Sequence, residues 1–342
     1  MRVKRPLTFF MIFLCITILS GCNIKLPFLK EKKPEVISNL SANSILTDSY
    51  EIRSQTIQII NNAQRAVFVQ LSALDDAEII NLLVEKSRSG VKVHILLDQW
   101  QRENSETVKN LKNQNVSIQY YPAQKGQYQR VRYLVADYQL AVFYGNDWTA
   151  KGFASHTLAI KLTGNAAWIM AKSFDKDWSY TTTLSLGLPE NMNLPKDNII
   201  FTQNSGVKPQ LLKQINSSDK EIIAEVEQIS DPESVDALVA AKKRGCIVKL
   251  IVSPSCATVT PNTIKKFKDT GIEVRYFNSP NKLPIGFNLS IFDNKSIIMT
   301  SSSWTYYAFV INHEGALVIP SPTASDSLSN TLNQEWLNAT LP

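Results

Sequence analysis

Between Ile52 and Trp148 the chain sets out a pattern of helices and strands that returns about 155 residues later, and this duplication constrains the fold more than any single motif. In the first copy Ile52, Thr56, Ile59, Ile60 and Ala63 recur at helical spacing, and Ala66 to Leu71 reads as a buried strand. A second helix follows Asp75-Asp76 and stops near Gly90, where Val91 to Asp98 begins a second strand. The second copy predicts a helix around Leu211 to Ile215, a strand Glu221 to Val226, a helix around Ser234 to Lys243 and a strand Cys246 to Val252. The segments SRSGVKVHILLD and KKRGCIVKLIVS hold the same place in each copy, and Asp147-Trp148-Thr149 is matched by Ser303-Trp304-Thr305 at an offset of 156. Helices alternating with short apolar strands predict an α/β fold class, as two repeats packed about a pseudo-twofold axis with a cleft between them. The repeats are expected at 44–180 and 199–342, joined by a linker at 181–198 that carries Gly187, Pro189 and Pro195.

The N-terminus has a different character. Arg2, Lys4 and Arg5 precede the apolar run Leu7 to Leu19, which ends in Leu19-Ser20-Gly21-Cys22. That is the layout of a secretion signal, and this nearly unbroken apolar run of 13 residues falls short of the roughly 20 needed to span a bilayer. The string LSGC resembles the lipobox of bacterial lipoproteins, which implies cleavage after residue 21 and a lipid on Cys22. Residues 22–43, including Lys30-Glu31-Lys32-Lys33-Pro34, have no apolar period and read as a tether. The expected location is therefore outside the cytoplasm, on a bacterial membrane, with several acyl chains giving lasting attachment.

Cleavage removes three basic residues and no acidic one, leaving 33 Lys and Arg of 36 against 30 Asp and Glu. So mild a balance, without dense basic clusters, argues against a nucleic-acid partner. Cys246 and Cys256 flank a strand that carries them out of disulfide reach, so two buried free thiols are expected. Three dispersed histidines and two distant cysteines lack ligand spacing, and neither a metal nor a cofactor is expected. His94, inside a Val/Ile/Leu strand, reads as a packed, hydrogen-bonded core histidine.

The block beginning at Arg130 resembles the signature of the phospholipase D superfamily, HxKxxxxD followed by GSxN and often Trp-Thr. The resemblance runs from about Ser49 to Trp336. It implies one histidine from each half meeting at the cleft, one attacking phosphorus and the other protonating the leaving oxygen, with Lys and Ser/Asn holding phosphate oxygens. Here Arg130, Arg132 and Asp137 stand at the histidine, lysine and aspartate of the first half, with Tyr144-Gly145-Asn146-Asp147 over GSxN. In the second half these positions are Gly286, Asn288 and Asp293, with Thr300-Ser301-Ser302-Ser303 over GSxN. Guanidinium stays protonated and glycine has no side chain, so neither forms a phosphohistidine. Asn312-His313-Glu314 resembles the later NxE element, with Ser155-His156-Thr157 as its counterpart.

These residues predict an inactive phospholipase D-like lipoprotein that binds an anionic, phosphate-bearing ligand through Arg130, Arg132, Asp147, Asn288, Ser301 and Ser303. The partner classes are an anionic phospholipid, a wall polymer or an acidic protein. Asp137, Asp293, Trp148, Trp304, Asn312 and Glu314 form the retained frame. Arg130 and Arg132 alternate on a strand, so they either clamp phosphate together or pair with Asp137 or Asp147. Trp304, Tyr306 and Tyr307 are expected as aromatic core at the seam between halves rather than as a stacking platform. Two further readings stay open: a phosphodiesterase with a relocated site using His156, His313 and Glu314, and a purely structural spacer.

Overall fold

The structure, a computed structural model, describes residues 40–342 except Asn191, Lys196 and Pro280. The expected signal peptide, Cys22 and most of the tether lie outside the described residues. The folded part reaches back to Leu40, four residues before the expected boundary, because Leu40 is buried in the central core.

The first half runs β1 (Ile45–Leu46), α1 (Ser49–Asn62), β2 (Ala66–Leu71), α2 (Ala77–Arg88), β3 (Lys92–Asp98), α3 (Asn104–Asn113), β4 (Ser117–Tyr121), β5 (Tyr133–Ala136), β6 (Leu140–Tyr144), α4 (Ala150–Phe153), β7 (Ala159–Thr163) and α5 (Asn165–Thr182). The second half repeats it: β8 (Ile200–Gln203), α6 (Val207–Ser217), β9 (Glu221–Val226), α7 (Pro232–Lys243), β10 (Ile247–Val252), α8 (Cys256–Val259), α9 (Pro261–Asp269), β11 (Glu273–Tyr276), β12 (Asn288–Phe292), β13 (Ser296–Thr300), a π-helical turn Tyr307–Ile311, β14 (Gly315–Ile319) and α10 (Pro322–Asn338). Each half builds one seven-stranded mixed sheet, ordered β1-β7-β6-β5-β2-β3-β4 and β8-β14-β13-β12-β9-β10-β11. The two orders are the same once β1 is matched to β8, so the duplication extends to topology.

Strand alternation divides the core into layers. Val67, Val69 and Leu71 of β2 face the outer core with α1, α2 and α3, whereas Ala66 and Phe68 face a central core shared by both sheets, α5 and α10. β9 divides likewise, with Ile222, Ala224 and Val226 outward and Ile223 inward. Phe174 of α5 stacks on Phe68 at 5.0 Å in the centre, and each such buried side chain contributes about 1.5–3 kcal/mol. Local signals agree with this packing. Asp76 caps α2 and pairs with Arg53 at 2.7 Å; Asp231 caps α7, where Pro232 follows it, and pairs with Lys208 at 2.9 Å.

The connector hugs the body: Asp175 accepts from the Leu186 amide, and Asp197 accepts from the Ala166 amide at the start of α5. Cys246 and Cys256 are buried free thiols. His94 is packed edge-on against Trp178 at 4.7 Å, but its Nδ1 has no hydrogen-bond partner, so the hydrogen-bonded reading is corrected. Burial pushes its pKa down to about 4, which keeps the ring neutral. No helix among the described residues is long and apolar enough to cross a membrane.

Candidate functional site: a polar cleft between the repeats

The two aspartates that end β5 and β12 do structural work. Asp137 and Asp293 sit at φ 51° and 52°, a left-handed conformation that Asp tolerates better than most residues. Asp137 accepts from the amides of Gln64, Arg65 and Ala66, and Asp293 from those of Asp219, Lys220 and Glu221. Each carboxylate thus fixes the turn that leads into β2 or β9. Burial alone would raise the Asp293 pKa, but those three amides and Lys295 hold it below its ordinary value. The Trp-Thr pairs are also structural. Trp148 and Trp304 are buried; the Trp148 carbonyl accepts from Asp75 and Asp76, and that of Trp304 from Ser230 and Asp231. Thr149 caps α4 through the Gly152 amide.

Extended segments cross from one half to the other around the pseudo-twofold. The His313 amide donates to the Tyr128 carbonyl at 2.8 Å, and the His313 carbonyl accepts from Arg130 at 2.8 Å. At the related seam the His156 amide donates to Pro284 at 3.1 Å, and its carbonyl accepts from Gly286 at 2.7 Å. Between these seams lies a cavity of about 480 Å³. Arg130, Arg132, Asp147, Asn288 and Ser301 all line it, so the structure brings together five of the six expected ligand-binding residues.

Their roles differ. Arg132 is about nine-tenths buried, pairs with Asp147 at 3.0 Å and donates to the Ser301 carbonyl at 2.7 Å. Asp147 also accepts from the amides of Ser72 and Ala73, so the charge of Arg132 is spent on a carboxylate of its own half, and its bond to the Ser301 carbonyl crosses to the other. Arg130 makes no ion pair among the described residues and rests over the Tyr128 ring at 4.9 Å. Of the expected clamp, Arg130 alone offers an unspent charge. Asn288 Oδ1 accepts from the Glu227 amide at 3.0 Å, and its Nδ2 has no protein partner among the described residues. Ser303 does not line the cavity; its hydroxyl donates to Glu227 Oε2 at 3.0 Å.

Ser301 Oγ donates to Glu314 and accepts from the Gly315 amide, and Asn312 Nδ2 donates to Glu314 at 3.1 Å. Burial raises the Glu314 pKa to about 7, against the pull of those two hydrogen bonds and of Arg132 and Arg130. His313 and His156 line no part of the cavity. His313 Nε2 lies 2.9 Å from Asp177, with Tyr121 stacked on its ring, and His156 Nε2 lies 2.9 Å from Glu335, stacked on Phe277. Tyr306 and Tyr307 are 54% and 65% exposed, which corrects their reading as core; only Trp304 is buried.

The residues that sequence reasoning missed are charged. Asp75, Glu103, Glu227 and Lys151 line the cavity, so four carboxylates face three cations. Glu227 follows β9 where Ser72 follows β2; its carboxylate accepts from the Ser303 hydroxyl, whereas the Ser72 backbone amide donates to Asp147.

The sequence matches the family described as cardiolipin synthase, PLD-like domain, over residues 56–178 and 211–336. The chain belongs to this phospholipase D-like family. No curated protein sequence matches it. Among solved structures it is similar to phosphatidylserine synthase of Haemophilus influenzae Rd KW20, at 14% identity and a TM-score of 0.71, covering 90% of this chain and 89% of that one. It is also similar to polyphosphate kinase from Porphyromonas gingivalis, at 13% identity and a TM-score of 0.63, covering 91% of this chain but only 51% of the kinase. At these identities the likeness shows the fold.

The family match covers both residues that the sequence motif places at its histidine positions, Arg130 and Gly286. The second of these has lost its room as well as its side chain. A Cβ on Gly286 would stand 2.5 Å from Ser155 Oγ and 2.7 Å from the His156 carbonyl oxygen. A Cβ on Gly145, where the first half's GSxN serine would stand, would lie 2.6 Å from the Gly286 carbonyl oxygen. The seam between halves thus leaves no room for a side chain at Gly286 or Gly145 unless its neighbours shift.

Proposed function

We propose that this is a lipid-anchored, non-catalytic phospholipase D-like protein of the bacterial cell envelope, whose cleft binds a phosphate group without cleaving it. The observation that carries the reading is the pair of motif positions: Gly286 is walled in by Ser155 and His156, while Arg130 places an uncommitted guanidinium in the cavity. Guanidinium binds phosphate oxygens well but neither attacks phosphorus nor delivers a proton near neutral pH. Asn288 Nδ2 and the Ser302 hydroxyl, which have no protein partner among the described residues, supply neutral donors in the same cavity.

The four carboxylates of the lining narrow the ligand. A polyanion would meet Asp75, Glu103 and Glu227, so the cleft favours one phosphate or phosphodiester group carried on a molecule that is otherwise neutral or cationic. A phospholipid headgroup and a substituted wall polymer both fit that description. Anchoring through Cys22 would hold the cleft near either.

The test uses the full-length chain in detergent. Binding of phosphoethanolamine and of inorganic phosphate is measured by calorimetry, beside Arg130→Ala. Loss of one charge-assisted contact predicts about tenfold to hundredfold weaker binding in the variant. No binding by either protein would leave the fold as a spacer, and equal binding by both would refute Arg130 as the phosphate contact. For the anchor, Cys22→Ala should move the protein from the membrane fraction to the soluble one, and retention in the membrane would refute lipidation there.

A further inference from the structure

The duplication allows one buried cluster to be compared with its own copy. Gln70 of β2 and Asp177 of α5, both of the first half, meet His313 of the second. Asp177 Oδ2 takes hydrogen bonds from Gln70 Nε2 at 3.0 Å and Gln203 Nε2 at 3.1 Å, and lies 2.9 Å from His313 Nε2. Gln70 Oε1 accepts from the Tyr133 hydroxyl at 2.8 Å. One carboxylate is surrounded by donors, although His313 Nδ1 has no partner among the described residues.

The second half puts Glu225 of β9, Glu335 of α10 and His156 in the corresponding places. The donors have gone. Leu289 replaces Tyr133, and among the described residues no amide or hydroxyl donates to either oxygen of the fully buried Glu225, which faces the Glu335 carboxyl. His156 Nε2 lies 2.9 Å from Glu335 Oε1 and 3.4 Å from Glu225 Oε1, and all three ligand atoms fall within 4.8 Å of one another. Two carboxylates and an imidazole thus converge where the fold's other copy places an amide, a carboxylate and an imidazole. Burying a second carboxylate without donors costs several kcal/mol unless a positive charge joins it.

A zinc-like ion about 2.0–2.1 Å from each of three ligands sets tetrahedral neighbours about 3.4 Å apart. The His156–Glu225 separation already matches, and the His156–Glu335 contact would open by about half an ångström. We propose that His156 Nε2 and one oxygen each of Glu225 and Glu335 bind a divalent transition-metal ion of the zinc or manganese kind. The ligands come from a loop of the first half and from β9 and α10 of the second, so the ion staples the seam beside Gly286. Burial first, and the facing Glu335 second, push the Glu225 pKa well up. In Glu335 burial is outweighed by His156, and the pKa falls. Sequence spacing hides this site because its three residues lie 69 and 110 positions apart.

The experiment takes the untagged full-length chain, strips it with a chelator and titrates it with zinc chloride and manganese chloride, reading calorimetry and the melting midpoint. One ion per chain and a higher melting midpoint are expected. Glu225→Gln reproduces the first half's Gln70, so it should fold and, in chelator, melt no lower than the parent, yet bind metal about a hundredfold more weakly or worse. Arg130→Ala should bind metal like the parent, which separates this site from the phosphate cleft. If neither metal binds at millimolar concentration, or Glu225→Gln binds as tightly as the parent, the cluster is an acid pair sharing a proton and the proposal fails.

Discussion

Replacing Glu314 with Gln tests the electrostatics of the cleft floor. The Glu314 carboxyl is fully buried, and burial lifts its pKa from 4.5 to about 7. An acid whose folded pKa is raised supports the folded state fully only below its unfolded pKa. As pH climbs from about 4.5 to about 7 the unfolded chain releases this proton first, and stability falls. A shift of that size corresponds to about 3 kcal/mol. Gln keeps the contacts, since its Oε1 can accept from Asn312 Nδ2 while its Nε2 donates to Ser301 Oγ. The assay is urea unfolding followed by tryptophan fluorescence at pH 5, 6, 7 and 8, for parent and Glu314→Gln. Other titrating groups, Glu225 and Asp293 among them, are common to both proteins and cancel in the difference. The difference should rise in favour of Gln by about 3 kcal/mol across the window and level off above pH 7. A flat difference, or one that falls with pH, would refute the burial argument for this residue.

Three other outcomes follow from the same geometry. Asp137→Ala and Asp293→Ala each strand three backbone amides at a left-handed turn and should cost about 2–3 kcal/mol by urea unfolding, with Asn recovering part of the loss. Arg132→Ala leaves Asp147 largely buried without its partner and should cost about 3 kcal/mol, whereas Arg130→Ala should change stability by less than about 0.5 kcal/mol. The double variant Arg130→His, Gly286→His should not restore phosphodiesterase activity, because the new Cβ at 286 collides with Ser155 and the His156 carbonyl; the melting midpoint should drop, and turnover of a chromogenic phosphodiester would contradict this.

Much of this arrangement is legible in the sequence because duplication repeats it. The strands Ala66–Leu71 and Glu221–Val226 follow from short apolar runs at the same place in each copy, and both are seen with those bounds. Asp137 and Asp293 stand out by their offset, although their work as amide acceptors emerges only when the preceding turn folds beside them. The histidines show where such reading stops. His156 and His313 follow the two tryptophans at similar spacing and do reach related positions, yet their rings turn to Glu335 and Asp177 on helices distant in sequence. Alternation along a strand places Gln70 and Glu225 on the inner face, but nothing local tells that Tyr133 serves the first and Leu289 fails the second. The cleft carboxylates escape for the same reason: Asp75, Glu103 and Glu227 lie in loops after strands, where sequence sets composition and only the packing of two halves sets direction.

The most direct test of a cleft that binds phosphate without cleaving it is to incubate the full-length protein with a chromogenic phosphodiester and follow binding and release of the chromophore together. The account predicts saturable binding that weakens in Arg130→Ala, with release no faster than in buffer. Release well above buffer that disappears in Arg130→Ala would contradict it, and would mean that the cleft performs chemistry without either motif histidine.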